Sequence, residues 1–422
     1  MNATRRAVIT GLGVLTPIGC DPAAFWSSLR AGTPGVRGIR SLDASALPCR
    51  IAGEIPDFDA KKLVGKEMRK SLKVMARTVQ MGLAAATQVM DAGGPKAGAI
   101  DPYRFGIEFG CLMVATELED LTGAAKETIT ATPRAIDMAT WGTRGQEAVP
   151  PLWMLKYLPN MPACHTSIAF NAQGPNNTIT EGDAAGLLAV GEAYRILGRG
   201  LADYFLVGGC DSKINPLSLT RHNSFLPLTR RNDAPETAVR PFDRDRDGTA
   251  LGEAACVFGL EELTFARARG ATILGEVAGF AAGFDRNKTG TILARVIQNA
   301  LREANITPAD VDHVNAQAAG IDDDAFEAKA IREALGDVPV WSIKGQIGNT
   351  GAASGAVELA ASLLALAHGE TPATVNFSTA AADCPVNVTR ILRPTARPYA
   401  VKISHTDMGQ CGVVVLRKWE GI

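Results

Sequence analysis

The chain has 422 residues, 46% of them hydrophobic and 6% aromatic, which is enough for a large buried core in two domains or one fused double domain. Its 43 basic and 44 acidic residues leave a net charge of -1, so overall charge does not predict binding to nucleic acid or to an anionic membrane. The eight cysteines are scattered without a CxxC pair, which indicates reduced thiols and a cytoplasmic protein.

The first predicted element is a β-strand formed by the apolar run in MNATRRAVITGLGVLTP. Two arginines precede this run, but Gly11, Gly13 and Pro17 interrupt it too early for the apolar region of a signal peptide. No run of about 18 apolar residues is recognisable further along, so no transmembrane helix is expected.

Strand-like and helix-like segments alternate along the chain, which favours an α/β fold. A weak internal repeat is also visible. The first half contains AVITGLGVLTP, YFLVGGCDS and ACVFGLEEL, and the second contains ILGEVAGFAAG, SIKGQIGNTGAASGAVE and YAVKISHTDMGQCGVVVLRKW. Each half has a helix start rich in Gly and Ala and closes on a β-branched strand. The pattern predicts two related halves in one body, with two helix N-termini meeting near its centre.

Two stretches lack this regularity. Residues 117–151 are irregular and are predicted to form a cap or an oligomer contact. Residues 221–248 are polar and rich in Arg and Asp, and we interpret them as a long connection.

Motifs for metal ions and nucleotides fail in this chain. DRDRDG at 243–248 imitates a calcium loop, but its twelfth position is Ala254 instead of a bidentate Glu, and Glu253 comes one place early. We therefore predict a surface loop whose arginines and aspartates pair. No HExxH or paired Cys/His cluster indicates zinc, and neither GLGVLTPIG nor KGQIGNTGAASG matches a nucleotide-binding motif. No metal or cofactor is expected.

One segment, TITEGDAAGLLAVG at 178–191, has the pattern of a functional site. A β-branched pair leads into a turn, and small residues then open an apolar helix. This order can direct one side chain from a helix N-terminus into a buried pocket, and that side chain is Asp183.

Seven stretches together resemble one known family over nearly the whole chain. They are RRAVITGLGVLTPIG with FWSSLRAG, KYLPNMPACHTSIAFNAQGPNNTIT, TRRNDAPETAVRPFDRDRDG, VNAQAAGIDDDAFEAKAI, SIKGQIGNTGAASGAVE and CGVVVLRK. In this order they resemble the β-ketoacyl-acyl-carrier-protein synthases of type II fatty acid and polyketide pathways.

The resemblance implies the thiolase fold, a five-layered αβαβα body with two pseudo-repeated βαβαβαβαβ halves. The implied halves are residues 1–260, with a cap or dimer insertion at about 117–160, and residues 261–422. It also implies a two-fold dimer with the YLPN stretch near the contact, and acyl carrier protein as a partner.

The family's reaction uses a cysteine nucleophile at the start of a helix and two histidines. The cysteine takes an acyl chain from the carrier protein, and the histidines help to decarboxylate malonyl-carrier protein and stabilise the oxyanion. This chain has Asp183, Gln317 and Asn349 at the three matching positions. An acyl-aspartate would be a reactive anhydride, and Gln and Asn cannot act as general acids or bases near neutral pH. Ordinary condensation is therefore not expected.

Other residues partly keep and partly change the family pattern. Lys344 and Glu358 match a lysine and a glutamate near the family's site, and Asp324 and Glu327 also fit. The family's glycine loop, which bears a phenylalanine, reads SHTDMGQCG here. The predicted supporting pocket contains Lys344, Glu358, His405, Asp407, Cys411 and Met113. Cys411 is expected to be a packed thiol rather than a relocated nucleophile.

Two interpretations of Asp183 stay open. As a static helix N-cap it would accept backbone N–H bonds and have a lowered pKa. As a base working with His405 and Asp407 it would have a pKa raised by burial. We favour the static cap.

The main functional prediction is a non-condensing subunit that binds acyl chains or acyl carrier protein, or that partners an active ketosynthase like a chain length factor. Chain length factors typically carry glutamine at the nucleophile position, so Asp183 departs from them too. The chain would form a homodimer, or a heterodimer with the active ketosynthase. One alternative is an enzyme of altered carrier-dependent chemistry, such as decarboxylation or hydrolysis. Another is a homodimeric protein that holds acyl carrier protein without reacting.

Overall fold

The structure, a computed structural model, describes residues 5–420. The first half contains, in chain order, β1 (Ala7–Leu15), α1 (Pro22–Ala31), β2 (Val36–Gly38), β3 (Ile51–Gly53), α2 (Arg77–Gly93), β4 (Phe105–Gly110), α3 (Leu118–Thr128), α4 (Met138–Thr140), α5 (Met161–Phe170), β5 (Asn176–Ile179), α6 (Ala185–Gly198), β6 (Tyr204–Ser212), α7 (Pro216–Phe225) and β7 (Leu251–Glu262). The second half contains α8 (Leu263–Ala268), β8 (Gly275–Phe284), α9 (Thr291–Glu303), β9 (Val311–Asn315), α10 (Asp324–Leu335), β10 (Pro339–Trp341), α11 (Lys344–Ile347), α12 (Ser354–His368), β11 (Glu370–Thr371), β12 (Asn387–Val388), β13 (Arg393–Pro394), β14 (Tyr399–His405) and β15 (Gln410–Lys418).

The strand order shows the internal repeat directly. In the first half the strands lie in the order β5-β4-β6-β7-β1, and in the second half in the order β10-β9-β14-β15-β8. In both halves the first three strands are parallel and the last two pair antiparallel. A short antiparallel pairing of β1 with β8 joins the two series. The predicted pair of related halves is therefore confirmed.

Helices cover both series of strands and fill the space between them. Helices α2 and α5 pack on the outer face of the first series, and α9 and α10 contact each other and share one core with the strands of the second. Helices α6 and α12 lie between the two series and contact each other and strands of both halves. This is the predicted five-layered αβαβα arrangement.

Small residues let the two central helices touch. At Gly186 in α6, an added Cβ would lie 2.7 Å from the carbonyl oxygen of Ala352. At Gly355 in α12, an added Cβ would lie 2.7 Å from the Cβ of Leu187. Larger side chains at either position would force the helices apart, because both neighbours lie in the packed core. The close approach predicted from the Gly- and Ala-rich helix starts is confirmed.

The structure corrects the expectation that no segment is apolar enough to cross a membrane. Residues Gly351–His368 are long and apolar enough, with a mean hydropathy of 1.3. This segment comprises a short 3₁₀ turn and α12, and 83% of it is buried inside the protein. Its apolar composition follows from its place at the centre of the core.

The DRDRDG loop has the predicted pairs of arginine and aspartate, but it is not wholly on the surface. Asp245 pairs with Arg244 at 3.5 Å, and Asp247 pairs with Arg231 at 3.3 Å. Asp243 is fully buried, because its carboxylate accepts backbone N–H bonds from the segment that begins at Ser378. Asp243 therefore ties the long connection to the second half of the fold.

Candidate functional site

The chain brings Asp183 to the centre of the molecule as the sequence predicts. Strand β5 ends at Ile179, a 3₁₀ turn spans Gly182–Ala184, and α6 follows. Gly182 has a φ of +51°, and an added Cβ would lie 3.0 Å from Thr406 Cγ2. Glycine therefore suits both the left-handed turn and the close contact with the second half.

Three polar side chains converge on the Asp183 carboxylate. Asn349 Nδ2 donates to Asp183 Oδ2 at 2.7 Å, and Gln317 Nε2 donates to the same oxygen at 3.2 Å. Lys213 Nζ lies 3.7 Å from the other oxygen, Oδ1. The side chain of Asp183 is 21% exposed, so the cluster is partly open. The three positions that match the family's cysteine and histidines are therefore in direct contact.

The prediction that Asp183 is a helix N-cap is wrong. The cap positions of the 3₁₀ turn and of α6 are Glu181 and Ala184, and neither makes a side-chain cap bond. Among the described residues, the hydrogen bonds to Asp183 come from side-chain amides and not from backbone N–H groups. The carboxylate instead points toward the second half, where it accepts hydrogen bonds from Asn349 and Gln317, while Lys213 of its own half lies on the other side.

Asp183 nevertheless has the lowered pKa that the cap interpretation predicts. Burial disfavours its charged form, but the positive charges of Lys213 and Lys344 and the bond from Asn349 outweigh burial, so the pKa of Asp183 lies below its ordinary value. An ionised carboxylate with a lowered pKa is a weak base at neutral pH.

A chain of hydrogen bonds fixes the orientation of Asn349. Its Oδ1 accepts the backbone N–H of Gly351 at 3.0 Å and the hydroxyl of Ser354 at 3.3 Å. Lys344 Nζ in turn donates to Ser354 Oγ at 2.9 Å. Because these donors occupy the amide oxygen, the amide nitrogen must face Asp183.

Lys344 also belongs to a fully buried ion cluster. Glu358 Oε1 lies 2.6 Å from Lys344 Nζ, and Glu358 Oε2 lies 2.6 Å from Lys402 Nζ, with all three side chains 0% exposed. Burial lowers the pKa of Lys402, and Glu358 opposes this shift. Lys344 and Glu358 thus lie next to the site, as predicted, and connect to Asp183 through Ser354 and Asn349.

Gln317 is held from behind by Glu327. The two carboxylate oxygens of Glu327 accept the backbone N–H groups of Gln317 at 2.7 Å and of Ala318 at 2.9 Å. His405 Nε2 lies 3.7 Å from Glu327 Oε2. Burial opposes the charged form of Glu327, but His405 and these bonds lower its pKa.

Asp324 fixes the loop after Gln317. Its carboxylate accepts backbone N–H groups of Phe242, Ala319 and Gly320 at 2.8 to 3.1 Å. Burial nevertheless raises the pKa of Asp324 to about 6. Asp324 and Glu327 therefore both hold the segment that presents Gln317 to Asp183.

The structure corrects two predicted members of the pocket and places a third. Asp407 is exposed at the tip of the β14–β15 hairpin, because the chain turns there after His405. Met113 is 77% exposed, since the chain leaves the core after Cys111. Cys411 is buried in β15 with its Sγ 3.4 Å from the carbonyl oxygen of Gly283, and burial raises its pKa to about 11. Cys411 is a packed thiol, as expected.

Two residues of the site are missing from the sequence prediction. Lys213 directly follows the buried strand β6, and its place beside Asp211 at the end of that strand is a signal that could have identified it. Ser354 is the first residue of α12. Its hydroxyl accepts a hydrogen bond from Lys344 and donates one to Asn349, so it links the two side chains.

This arrangement can hold a carboxylate, but it offers little for covalent chemistry. The nucleophile position holds an ionised Asp183, and its two closest donors are amides that do not titrate near neutral pH. The five-layered body, with Asp183, Gln317 and Asn349 in contact at the start of its central helix, agrees with the fold and the site position expected from the resemblance to the β-ketoacyl synthases.

Comparison with known proteins gives the same class. The chain matches the beta-ketoacyl synthase N-terminal domain over residues 4–266 and the beta-ketoacyl synthase C-terminal domain over residues 274–378. The chain belongs to the beta-ketoacyl synthase family.

Individual relatives cover nearly the whole chain. It is 34% identical to the ketoacyl synthase alpha subunit of the tetracenomycin polyketide synthase of Streptomyces glaucescens, over 91% of this chain and 90% of that protein. It is 33% identical to 3-oxoacyl-acyl-carrier-protein synthase 2 of Synechocystis sp., over 90% of both chains. The ishigamide ketosynthase/chain length factor superposes with a TM-score of 0.86 at 27% identity, covering 99% of this chain and 100% of that chain. One chain from the complex of a type II polyketide acyl carrier protein with its ketosynthase also superposes, with a TM-score of 0.83 at 26% identity. The match covers 99% of this chain and 100% of that chain.

Proposed function

We propose that the chain is a non-condensing ketosynthase-like subunit that binds acyl chains or acyl carrier protein and partners an active ketosynthase, as a chain length factor does. One observation carries this proposal: Asn349, Gln317 and Lys213 hold an ionised Asp183 at the position where condensation needs a thiolate. The eight free cysteines fit the reducing conditions of the cytoplasm, where we place the protein.

An exposed basic segment supports binding to a carrier protein. The two 3₁₀ helices Ala60–Lys62 and Lys66–Val74 and the turn between them carry a single carboxylate, Glu67. The exposed cations are Lys61, Lys62, Lys66, Arg69, Lys70 and Lys73. A surface with one sign of charge attracts a partner of the opposite sign and speeds their encounter. Reversing the charge of Lys66 and Lys70 should weaken carrier-protein binding, whereas Lys329→Glu, an exposed lysine on α10, should not.

An open sheet edge and an apolar surface support a partner chain. Strand β5 lies at the edge of the first strand series, and two of its four residues are exposed. The insertion at about 117–160 presents many large apolar side chains to solvent, each 40% exposed or more: Leu118, Ile129, Ile136, Met138, Leu152, Met154 and Leu155. Open edges and large apolar patches of this kind are typically covered in the assembled protein.

Coexpression tests the choice of partner. The chain is produced alone and together with an intact, cysteine-bearing ketosynthase encoded beside it, and the masses of the assemblies are measured by light scattering after size exclusion. We expect a one-to-one heterodimer that extends acyl chains only when both subunits are present. A stable homodimer that forms no complex with the coexpressed ketosynthase would contradict the proposal.

One observation favours a second candidate, an enzyme of altered carrier-dependent chemistry. His405 lies beside Glu327, and its charge contributes to the lowered pKa of Asp183, so a histidine and two carboxylates share one pocket. Carrier-bound malonyl and acyl thioesters are incubated with the chain alone, and release of carbon dioxide or free acid is measured. Turnover that Asp183→Asn abolishes while the variant remains folded at the assay temperature would establish this candidate in place of the first.

A further inference from the structure

The side chains around Asp183 form a site for an anion. Lys213 is 7% exposed, Asn349 7% and Gln317 3%, so all three donors are more than nine-tenths buried. A buried ammonium and two buried amide N–H groups that face one point must be matched by acceptors, because unpaired buried donors are costly. In this chain the two oxygens of one carboxylate supply those acceptors.

The surrounding residues hold these donors in place. The oxygen of the Asn349 amide is occupied by Gly351 and Ser354, so its nitrogen keeps its direction whether or not Asp183 is present. Gly351 has a φ of +57°, and an added Cβ would lie 2.7 Å from Lys213 Cε. The glycine thus leaves the space through which the stem of Lys213 reaches the cluster.

Asp183 is the carboxylate closest to Lys213. Within the described residues, Asp183 is the carboxylate that lies within 4 Å of Lys213 Nζ. Asp211 is close in sequence, but its Oδ2 accepts the backbone N–H of Ala352 at 3.1 Å and forms no ion pair within that limit. Gln317 Oε1 and His405 Nε2 are also buried and have no hydrogen-bond partner among the described residues. The site therefore contains further polar atoms that could bind a ligand.

We propose that Lys213, Asn349 and Gln317 form a carboxylate-binding subsite that the chain's own Asp183 occupies, and that this excludes acyl groups ending in a free carboxylate from the start of α6. The second clause rests on the proposed function, since it assumes that acyl groups reach this position. Neutral acyl groups meet no such competitor and are the ligand class that the intact chain accepts.

Chemical rescue tests the subsite without a carrier protein. Asp183→Ala removes one carboxylate group, and formate has the size and charge to replace it. We expect formate and acetate to raise the melting temperature of Asp183→Ala and to leave that of the intact chain unchanged. In the matched control Asp183→Ala/Lys213→Met, formate binding should weaken about tenfold or more, because the variant removes the buried positive charge of Lys213 that lies nearest to the carboxylate position. Equal responses of the intact chain and Asp183→Ala, or of the single and double variants, would overturn the subsite.

Two further measurements keep the test decisive. If Asp183→Ala does not fold, NMR titration of the Asp183 carboxyl group in the intact chain and in Lys213→Met takes the place of chemical rescue. The titration midpoint should rise in Lys213→Met, and an unchanged midpoint overturns the proposal.

Acetyl- and malonyl-pantetheine are then compared as probes of the exclusion. We expect the malonyl thioester to gain affinity in Asp183→Ala relative to the acetyl thioester by about tenfold. Rescue by formate with no binding of either thioester would retain the subsite and reject the assumption that acyl groups reach this position, whereas equal gains for both thioesters would overturn the exclusion.

Discussion

Asn349 Nδ2 donates to Asp183 Oδ2 at 2.7 Å, and this bond joins residues 166 positions apart in opposite halves of the molecule. Asn349 is itself oriented by Ser354, which accepts a hydrogen bond from the buried Lys344. The Asp183 carboxylate is therefore connected, through Asn349 and Ser354, to the buried ion cluster of Lys344, Glu358 and Lys402. Its environment is a continuous polar network rather than a helix end.

Asp183→Asn should destabilise the protein through Lys213. The variant keeps a side chain that can bond to the amides but removes the carboxylate closest to the ammonium of Lys213. We expect a loss of about 1–2 kcal/mol in the free energy of unfolding at pH 7, measured by denaturant titration. Asp183→Asn/Lys213→Met should lose less than the sum of the single variants, with a coupling of about 1 kcal/mol. Strictly additive losses would contradict the ion pair.

The effect of Asp183→Asn should also depend on pH. Because the folded-state pKa of Asp183 is lowered from 3.8, its stabilising contribution is present above that value and is lost as the pH falls through the folded-state pKa. The difference between the variant and the intact chain should therefore be constant near neutral pH and shrink below about pH 4. Unfolding curves at pH 7, 5 and 3 check this, and a difference that grows in acid would be the wrong sign.

Restoring the thiol alone should not restore condensation. Asp183→Cys supplies a nucleophile, but Gln317 and Asn349 still lack the imidazoles that decarboxylation requires. We expect no condensation product from malonyl-carrier protein, measured by mass spectrometry, and no acyl adduct at position 183 of the intact chain. The comparison variant Asp183→Cys/Gln317→His/Asn349→His has all three groups. Product from the single variant would show that the amides suffice.

Glu358→Gln should be among the most damaging single substitutions. It removes the charge that Lys344 and Lys402 share in a site that is 0% exposed, and leaves two buried cations unbalanced. Breaking a buried ion pair in this way costs about 3–5 kcal/mol, so thermal or denaturant unfolding should show a large loss or no folded protein. Glu370→Gln, which breaks the exposed pair with Arg30, is the matched control and should have a small effect that added salt removes. Equal effects of the two substitutions would contradict the proposed importance of the buried cluster.

Glu108 should make stability fall as the pH rises. It is 1% exposed in β4, its carboxyl oxygens have no partner within the described residues, and burial, with the nearby charge of Glu192, raises its pKa to about 8. Its neutral form therefore stabilises the fold below about pH 4.5, and this contribution decreases as the pH rises toward 8, by about 1 kcal/mol per pH unit. Glu108→Gln should flatten this dependence. Unfolding at pH 6, 7 and 8 measures it, and parallel curves for the two proteins would disprove the assignment.

Most of the fold follows from the sequence because its elements are strongly patterned. The β1, β6, β14 and β15 strands each contain a short run of apolar or β-branched residues, and the helix starts at Gly186 and Gly355 are rich in small residues. The strand order and the pairing of β1 with β8 depend on contacts between distant segments, which periodicity does not contain. The apolar α12 shows the same limit, since composition alone does not distinguish a central core helix from a membrane span.

The site is less predictable, because its chemistry depends on directions of side chains. The resemblance to a family identifies Asp183, Gln317 and Asn349 as one set, and the structure brings them together. It does not identify Lys213, whose position becomes relevant only when the end of β6 is placed beside α6. The helix start likewise predicted a capping carboxylate. The local sequence does not show that the side-chain amides of Gln317 and Asn349 in the second half donate to Asp183 instead.

The pseudo-repeat has a consequence for how this protein can change through evolution. The first half contributes Asp183 and Lys213, whereas the second contributes Gln317, Asn349 and Lys344. Recombination between the halves with a gene for a cysteine-bearing ketosynthase would give one product with a carboxylate and two histidines, and another with a thiol and two amides. Neither product would have a complete site of either kind. The two segments must therefore be retained together for either arrangement to form, although the two halves have the same strand order.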